Sequence, residues 1–391
     1  MGPRQFVAIV SGMAIAIVVG GVWLIRASFT PDQRLISTPT GDSPEAPAID
    51  QGTNPSPTVD PNSPLSPSSS PAIENWTTLY RDTPNPLATY GESPQLDNIV
   101  GEMQALAVAK NLPPEAMSIV LVDLNRKAIA SYQPNEFHYP ASVSKLFWLV
   151  AFYAQVTQGR LNAAEYGEDI ALMVTQSDNN ATSRIIDALT DTTTSPTPEN
   201  TTPNNYQAWL AKRKQLNAFF EAADYGELDL TQKTYPITDI EIMEPVGFDL
   251  RMRQNPQDTS QPIRNRLTAY QGARLMTEIA LDLAVSPEAS QQMRQLLARD
   301  LRQDWQSPQN YFNPVQHFFG EGLPQDTQLY SKAGWTSQGR HEVAYVTSAD
   351  GQRRYVLSVF ADDPAYADNE TFFPAIAKLV QEKLVSSPVT P

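Results

Sequence analysis

Tyr139 to Leu161, YPASVSKLFWLVAFYAQVTQGRL, is the stretch whose reading decides the fold. Pro140 suits a helix entry, because its fixed φ and missing N–H are harmless there, and Ala141 to Val156 contains no Gly or Pro. The pattern predicts a helix from Ala141 that ends near Gly159. Leu146, Phe147, Leu149, Val150, Tyr153 and Ala154 leave almost no polar face, so the helix belongs inside a domain. Ser142 and Lys145 are its costly exceptions. Three positions apart, they share one side of the first turn, where unpaired N–H groups and the positive end of the helix dipole favour negative charge. That combination suits acyl transfer.

The 391 residues, 41% of them apolar, are enough to bury a sizeable core. A net charge of −15 argues against nucleic acid as a partner, since phosphate binding needs a basic face. There are no cysteines, which removes disulfides, thiolate nucleophiles, cysteine metal sites and lipoprotein anchoring. His138, His317 and His341 are scattered and make no metal-ligand motif, so neither a metal nor a cofactor is expected.

Phe6 to Ile25 is a run of 20 residues without a charge, about 30 Å as a helix, which matches a bilayer core. It reads as an uncleaved single-pass anchor within residues 1–29, with a cleaved signal sequence as the alternative. Residues 30–75 shift to Pro, Ser, Thr, Asp and Gly and read as an extended tether. The folded domain is expected over 76–391.

Within it, Leu96 to Lys110 has helical spacing, and Ser118 to Asp123 and Ala128 to Tyr132 read as a β-hairpin leading into the Tyr139 stretch. A helix at Glu168 to Thr175 runs into the loop Gln176 to Asn180, and helical character resumes at Thr182 to Leu189. Asp191 to Asn205 is a Pro- and Thr-rich excursion that opens an enlarged, irregular insertion over 190–265, with one helical stretch around Trp209 to Phe220. Helices follow at Leu267 to Leu283 and at Pro287 to Leu301, the latter capped by Ser286. The chain closes with strands at Gln328 to Lys332, Glu342 to Ser348 and Arg354 to Ala361, then a helix at Thr371 to Val385. Strands at both ends with helices between them predict an α+β fold, one sheet completed by distant segments with a helical lobe inserted.

Three short motifs occur in order: Ser142-Val143-Ser144-Lys145 opening the apolar helix, Ser177-Asp178-Asn179 in a loop between helices, and Lys332-Ala333-Gly334 ending a strand. An S-x-x-K alone is weak, and Ser142 could then be a helix cap and Lys145 a snorkelling lysine. The ordered triple resembles the S-x-x-K, S-D-N and K-T-G set of class A β-lactamases and penicillin-binding proteins. The resemblance spans Leu96 to Val385 and implies a β-lactamase-like fold, with an antiparallel sheet of about five strands flanked by N- and C-terminal helices around an all-helical lobe.

It also implies a mechanism. Ser142 would attack a lactam or amide carbonyl, Lys145 would act as base, Ser177 would relay the proton and Lys332 would attract the substrate carboxylate. Backbone N–H groups of Ser142 and Trp335 would form the oxyanion hole, and Asn179, Gly334 and Thr336 would contact substrate. The expected function is β-lactam hydrolysis. A D,D-peptidase or penicillin-binding protein acting slowly on peptidoglycan peptides is the alternative, and a non-catalytic wall-associated protein the second. The expected setting is a bacterial inner membrane with a monomeric domain on the periplasmic side.

Two departures stand out. Ala333 replaces a hydroxyl residue that helps to bind the carboxylate in the family; Thr336, Arg340 or His341 are candidate substitutes. No ExxLN motif precedes Asn265, so the Glu that activates hydrolytic water is missing, and the nearest candidate deacylation base is Glu244.

Overall fold

The computed structural model describes residues 76–194, 203–303 and 312–385, all inside the compact unit Ser70–Pro391. The expected anchor and tether lie outside the described residues, as does the centre of the Pro-Thr excursion. Among the described residues no helix is long and apolar enough to cross a membrane.

The strands are β1 (Gly91–Glu92), β2 (Met117–Asp123), β3 (Ala128–Tyr132), β4 (Phe137–His138), β5 (Leu267–Thr268), β6 (Ala298–Arg299), β7 (Gln328–Thr336), β8 (Gly339–Thr347) and β9 (Arg354–Ala361). One sheet runs β1-β3-β2-β9-β8-β7-β6, and β4 pairs with β5 separately. Its five long strands are antiparallel, as expected; only the short edge strand β1 runs parallel to its neighbour. The β2–β3 turn is shaped by Asp123, whose Oδ1 accepts from the amides of Asn125 and Arg126. The pairing of β2 with β9 joins the two ends of the domain.

The helices are α1 (Pro94–Ala109), α2 (Ser144–Thr157), α3 (Gly167–Thr175), α4 (Asn179–Thr190), α5 (Pro203–Arg213), α6 (Gln215–Glu221), α7 (Gly247–Arg253), α8 (Ala269–Ala280), α9 (Pro287–Leu297), α10 (Phe319–Gly322), α11 (Pro364–Asp368) and α12 (Phe372–Val385). The sheet separates two cores. Strand β2 shows why its run is apolar throughout: Ile119 and Leu121 join the core with α1 and α12, while Val120 and Val122 join that with α2 and α8. Helix α2 is buried from Ser144 to Gln155, and each Leu, Val or Phe it hides contributes on the order of 1.5–3 kcal/mol.

Four local expectations are corrected, one being that the helix expected to reach Leu301 ends at Leu297, because Ala298–Arg299 pairs with β7 as β6. Helix α2 starts at Ser144, because Ala141 has φ +47°, outside the right-handed helix, and Ala141–Val143 forms a 3-10 turn instead. The stretch around Trp209 divides into α5 and α6. The stretch from Leu267 opens as β5, since extended Thr268 caps α8 reciprocally with Gln271.

A buried charge network pins the insertion to the lobe. Arg213, fully buried, donates to Asp249 at 3.1 Å and to the carbonyl of Thr231, while Lys233 donates to Asp187 at 2.6 Å and to Ser183. Removing one partner strands the other in a dry site. Asp249→Ala is expected to cost about 3–5 kcal/mol in urea denaturation; a loss below about 1 kcal/mol would show that water reaches Arg213.

Candidate active site

The four motif residues come from three separate stretches of the chain. Ser142 lies on the 3-10 turn before α2 and is partly exposed. Lys145, one turn further, is fully buried. Ser177 occupies the short loop between α3 and α4 with φ +60°, and Lys332 is buried on β7. The left-handed backbone at both Ala141 and Ser177 is unusual for residues with a Cβ, and it turns each serine out of its helix.

Ser177 is where the elements meet. Its hydroxyl receives the amine of Lys332 at 3.0 Å and that of Lys145 at 3.3 Å. Lys145 also donates to the Ser177 carbonyl and, at 2.9 Å, to Asn179 Oδ1, while Lys332 donates to the Ala333 carbonyl. Using its oxygen on Lys145 leaves the Asn179 amide nitrogen as a donor. Asp178 accepts from the Ala181 amide and caps α4, which fixes the loop.

Both amines are pushed down. Burial brings Lys145 to about 7, with the charge of Asp178 acting in the opposite direction. Lys332 falls well below an ordinary lysine, first through burial and then through repulsion from Lys145 and Arg299. Behind it sits Glu342, pushed up to about 7 by burial, with one oxygen accepting from the Phe319 amide.

Strand β7 passes close to Ser142 because residue 334 is glycine. A Cβ there would stand 2.7 Å from the Pro140 carbonyl oxygen and 3.0 Å from the Ser142 nitrogen. The Trp335 amide follows one peptide unit later, and the Trp335 indole, half exposed, donates to the Ala367 carbonyl. Thr336 lies two residues on, on the strand face of Lys332 and Gly334. Ala333 faces the other core, across from Glu342.

Two candidate substitutes for the missing hydroxyl are engaged elsewhere. Arg340 donates to the carbonyls of His317, Tyr366 and Ala367. His341 is buried, with its pKa lowered to about 4, and its Nδ1 accepts from the Ala361 amide. Glu244 lines a cavity that none of Ser142, Lys145, Ser177 and Lys332 lines.

Some supporting residues carried no motif. Asn265 holds both backbone groups of Gln232 and reaches Ser144 Oγ at 3.5 Å, tying the insertion to the turn between the serine and the lysine. Arg299 binds the carbonyls of Val174 and Ser331, joining α3 to β7. Their signal was a polar residue beside an apolar run. A second serine–histidine–aspartate line, Ser118 to His138 at 2.7 Å and His138 to Asp362 at 3.1 Å, is closed to substrate because Ser118 is fully buried. Asp362 also accepts from the Tyr139 amide, so the line braces the approach to Ser142.

The profile of the beta-lactamase enzyme family matches residues 98–166 and 165–384, and the chain belongs to that family of β-lactamase-like serine hydrolases. No curated protein matches the chain. Among solved structures, PBP-A is similar with a TM-score of 0.53 at 18% identity, over 76% of this chain and 99% of that one. A mutant of PBP-A, solved as an acyl-enzyme complex with penicillin G, gives 0.52 at 18% identity, over 75% and 98%. A β-lactamase from Sphaerobacter thermophilus gives 0.50 at 17% identity, over 74% and 99%. At such identities the likeness shows the fold.

An amine with a pKa of about 7 is protonated below that pH and neutral above it, and only the neutral form can take a proton from a hydroxyl. Acylation of Ser142 by a serine-directed reagent, followed by intact mass, is therefore expected to quicken by about tenfold per pH unit below 7 and to level off above it. Lys145→Met is expected to flatten the profile and to slow the reaction by about 10² or more.

Proposed function

We propose that Ser142 forms an acyl-enzyme with β-lactams and with D-Ala-D-Ala peptides of peptidoglycan, and that this intermediate is released slowly, as in a penicillin-binding D,D-peptidase. The observation that carries the reading is the Ser177 hydroxyl held between Lys145, one turn along from Ser142, and Lys332. Lys145, neutral, takes the Ser142 proton as Oγ bonds to the carbonyl carbon. The oxyanion is held by the Ser142 and Trp335 amides, each donor contributing about 10² to 10³ in rate. As the C–N bond breaks, the proton passes from Lys145 through Ser177 to the leaving nitrogen. Lys332 draws the substrate carboxylate, and that charge in turn favours its protonated form, which leaves Lys145 as the base of the pair. Asn179 donates to the substrate amide, and Thr336 takes the place of the hydroxyl missing at Ala333.

Slow release is supported by the donor set. Among the described residues no carboxylate is hydrogen-bonded or ion-paired to Ser142, Lys145, Ser177 or Lys332, so none stands ready to activate water. Glu244 as that base is the less favoured reading. The acyl-enzyme solved for a PBP-A mutant with penicillin G is a parallel on the same fold. The uncharged run Phe6 to Ile25 supports an inner-membrane anchor with the domain in the periplasm, where both substrates occur. Membrane fractionation of cells expressing the full chain tests that placement; recovery in the soluble fraction would oppose it.

Fluorescent penicillin followed by intact mass tests the reaction. One adduct per chain is expected, absent in Ser142→Ala, and nitrocefin should give a burst with little steady turnover. Sustained rapid nitrocefin hydrolysis would instead make the protein an efficient β-lactamase. No adduct in the wild-type chain would favour a non-catalytic role.

A further inference from the structure

In a chain with 43 acidic and 28 basic residues, one open cavity of about 960 Å³ in the insertion gathers Arg251, Arg253 and Arg264, with Glu244 the single carboxylate residue lining it. None of these three guanidinium groups makes a hydrogen bond or an ion pair among the described residues. Elsewhere Arg184, Arg213, Arg266, Arg274 and Arg294 are each paired with carboxylates. Arg251 lies over the Tyr206 ring at 4.0 Å and Arg264 over the Tyr139 ring at 5.1 Å. Stacking fixes the plane of a guanidinium while leaving its N–H fork unused. Arg253 is half-buried; burial and then the charge of Arg264 lower its pKa, while Tyr139, Tyr235 and Glu244 act the other way. Tyr235 also lines the cavity, and its hydroxyl is buried without a partner among the described residues. Arg251 and Arg264 are exposed and Arg253 half-buried, so these forks are open to solvent, and three cations around a single carboxylate make the space attractive to an anion.

The cavity adjoins the catalytic turn. Tyr139, beneath Arg264, precedes Ser142 by three residues, a reach of at most ~11 Å along the chain. On the other flank, Asn180 beside Asn179 holds the loop of the insertion through Thr238 and Asp239. Met243 and Leu250, both exposed, add apolar lining suited to aliphatic side chains.

We propose that this cavity is a subsite for the acyl-donor end of the substrate and selects peptides that carry a carboxylate remote from the scissile bond. The inference rests on the reading of Ser142 as the acylated nucleophile. The substrate would then be anchored by charge at two points, Lys332 for its terminal carboxylate and the arginines for the remote one.

The test uses two synthetic peptides ending in D-Ala-D-Ala, identical except for glutamate or glutamine two residues before the scissile bond. For the wild-type protein, kcat/KM is expected to be about tenfold higher for the glutamate peptide, and the preference should shrink as salt is raised. In Arg253→Gln and Arg264→Gln the glutamate peptide should fall to the level of the glutamine peptide, whose own reaction reports an intact site in each variant. Equal rates in the wild type, or a preference that survives in both variants, overturn the subsite. Benzylpenicillin, which carries no remote carboxylate, separates the two failures. If it acylates wild-type Ser142 while the peptides show no preference, only the subsite falls; if neither it nor the peptides react, the acyl-transfer reading falls and takes the subsite with it.

Discussion

Two amines on one hydroxyl form the constraint on which the site depends. Lys145 and Lys332 both donate toward Ser177 Oγ, both are fully buried, and among the described residues neither has a carboxylate within ion-pairing distance. Holding two protonated amines there would be expensive, since burial and mutual repulsion both oppose the charge. The arrangement lowers that cost by shedding proton affinity. It also supplies carbonyl and amide oxygens to the hydrogens that remain, from Ser177, Ala333 and Asn179. What would be a defect in a purely structural core is, under the proposed reaction, the source of a base near neutral pH.

The rest of the fold serves that meeting of elements. Left-handed backbone at Ala141 and Ser177 sets the two serines outside regular helix, and Gly334 lets β7 come against the Ser142 amide where any Cβ would collide with backbone. Asn265 and Arg299 lock the insertion and α3 to the same centre through backbone carbonyls. Beneath these contacts lies α2, buried along most of its length, so the serine–lysine spacing is held by a core and not by a surface loop.

Much of this was legible in the sequence. The apolar run of α2 made Ser142 and Lys145 conspicuous, the β-rich runs of β2, β3 and β9 were found within a residue, and Ser286 does cap α9. The order of three motifs led to the family, and the structure brings Lys145, Ser177, Asn179 and Lys332 together. What was not legible depends on tertiary contact. Nothing in Ala141-Ser142-Val143 announces a left-handed residue, so the sequence pattern alone places the start of α2 about one turn too early. The pairing of Arg213 with Asp249 joins residues that share no periodic pattern. Glu342 and Arg340 look like solvent-facing positions in a strand, yet both are buried because a second core covers that face of β8. Glu244 stood out as the nearest candidate for the Glu of the missing ExxLN motif, and the structure sets it among arginines in a neighbouring cavity.

The most direct measurement is an NMR titration of carbon-13-labelled lysine Cε, with the Lys145 resonance assigned by its loss in Lys145→Arg. The account predicts a midpoint of about 7 for Lys145, set by its burial. A midpoint near the ordinary lysine value of about 10.4 would contradict it.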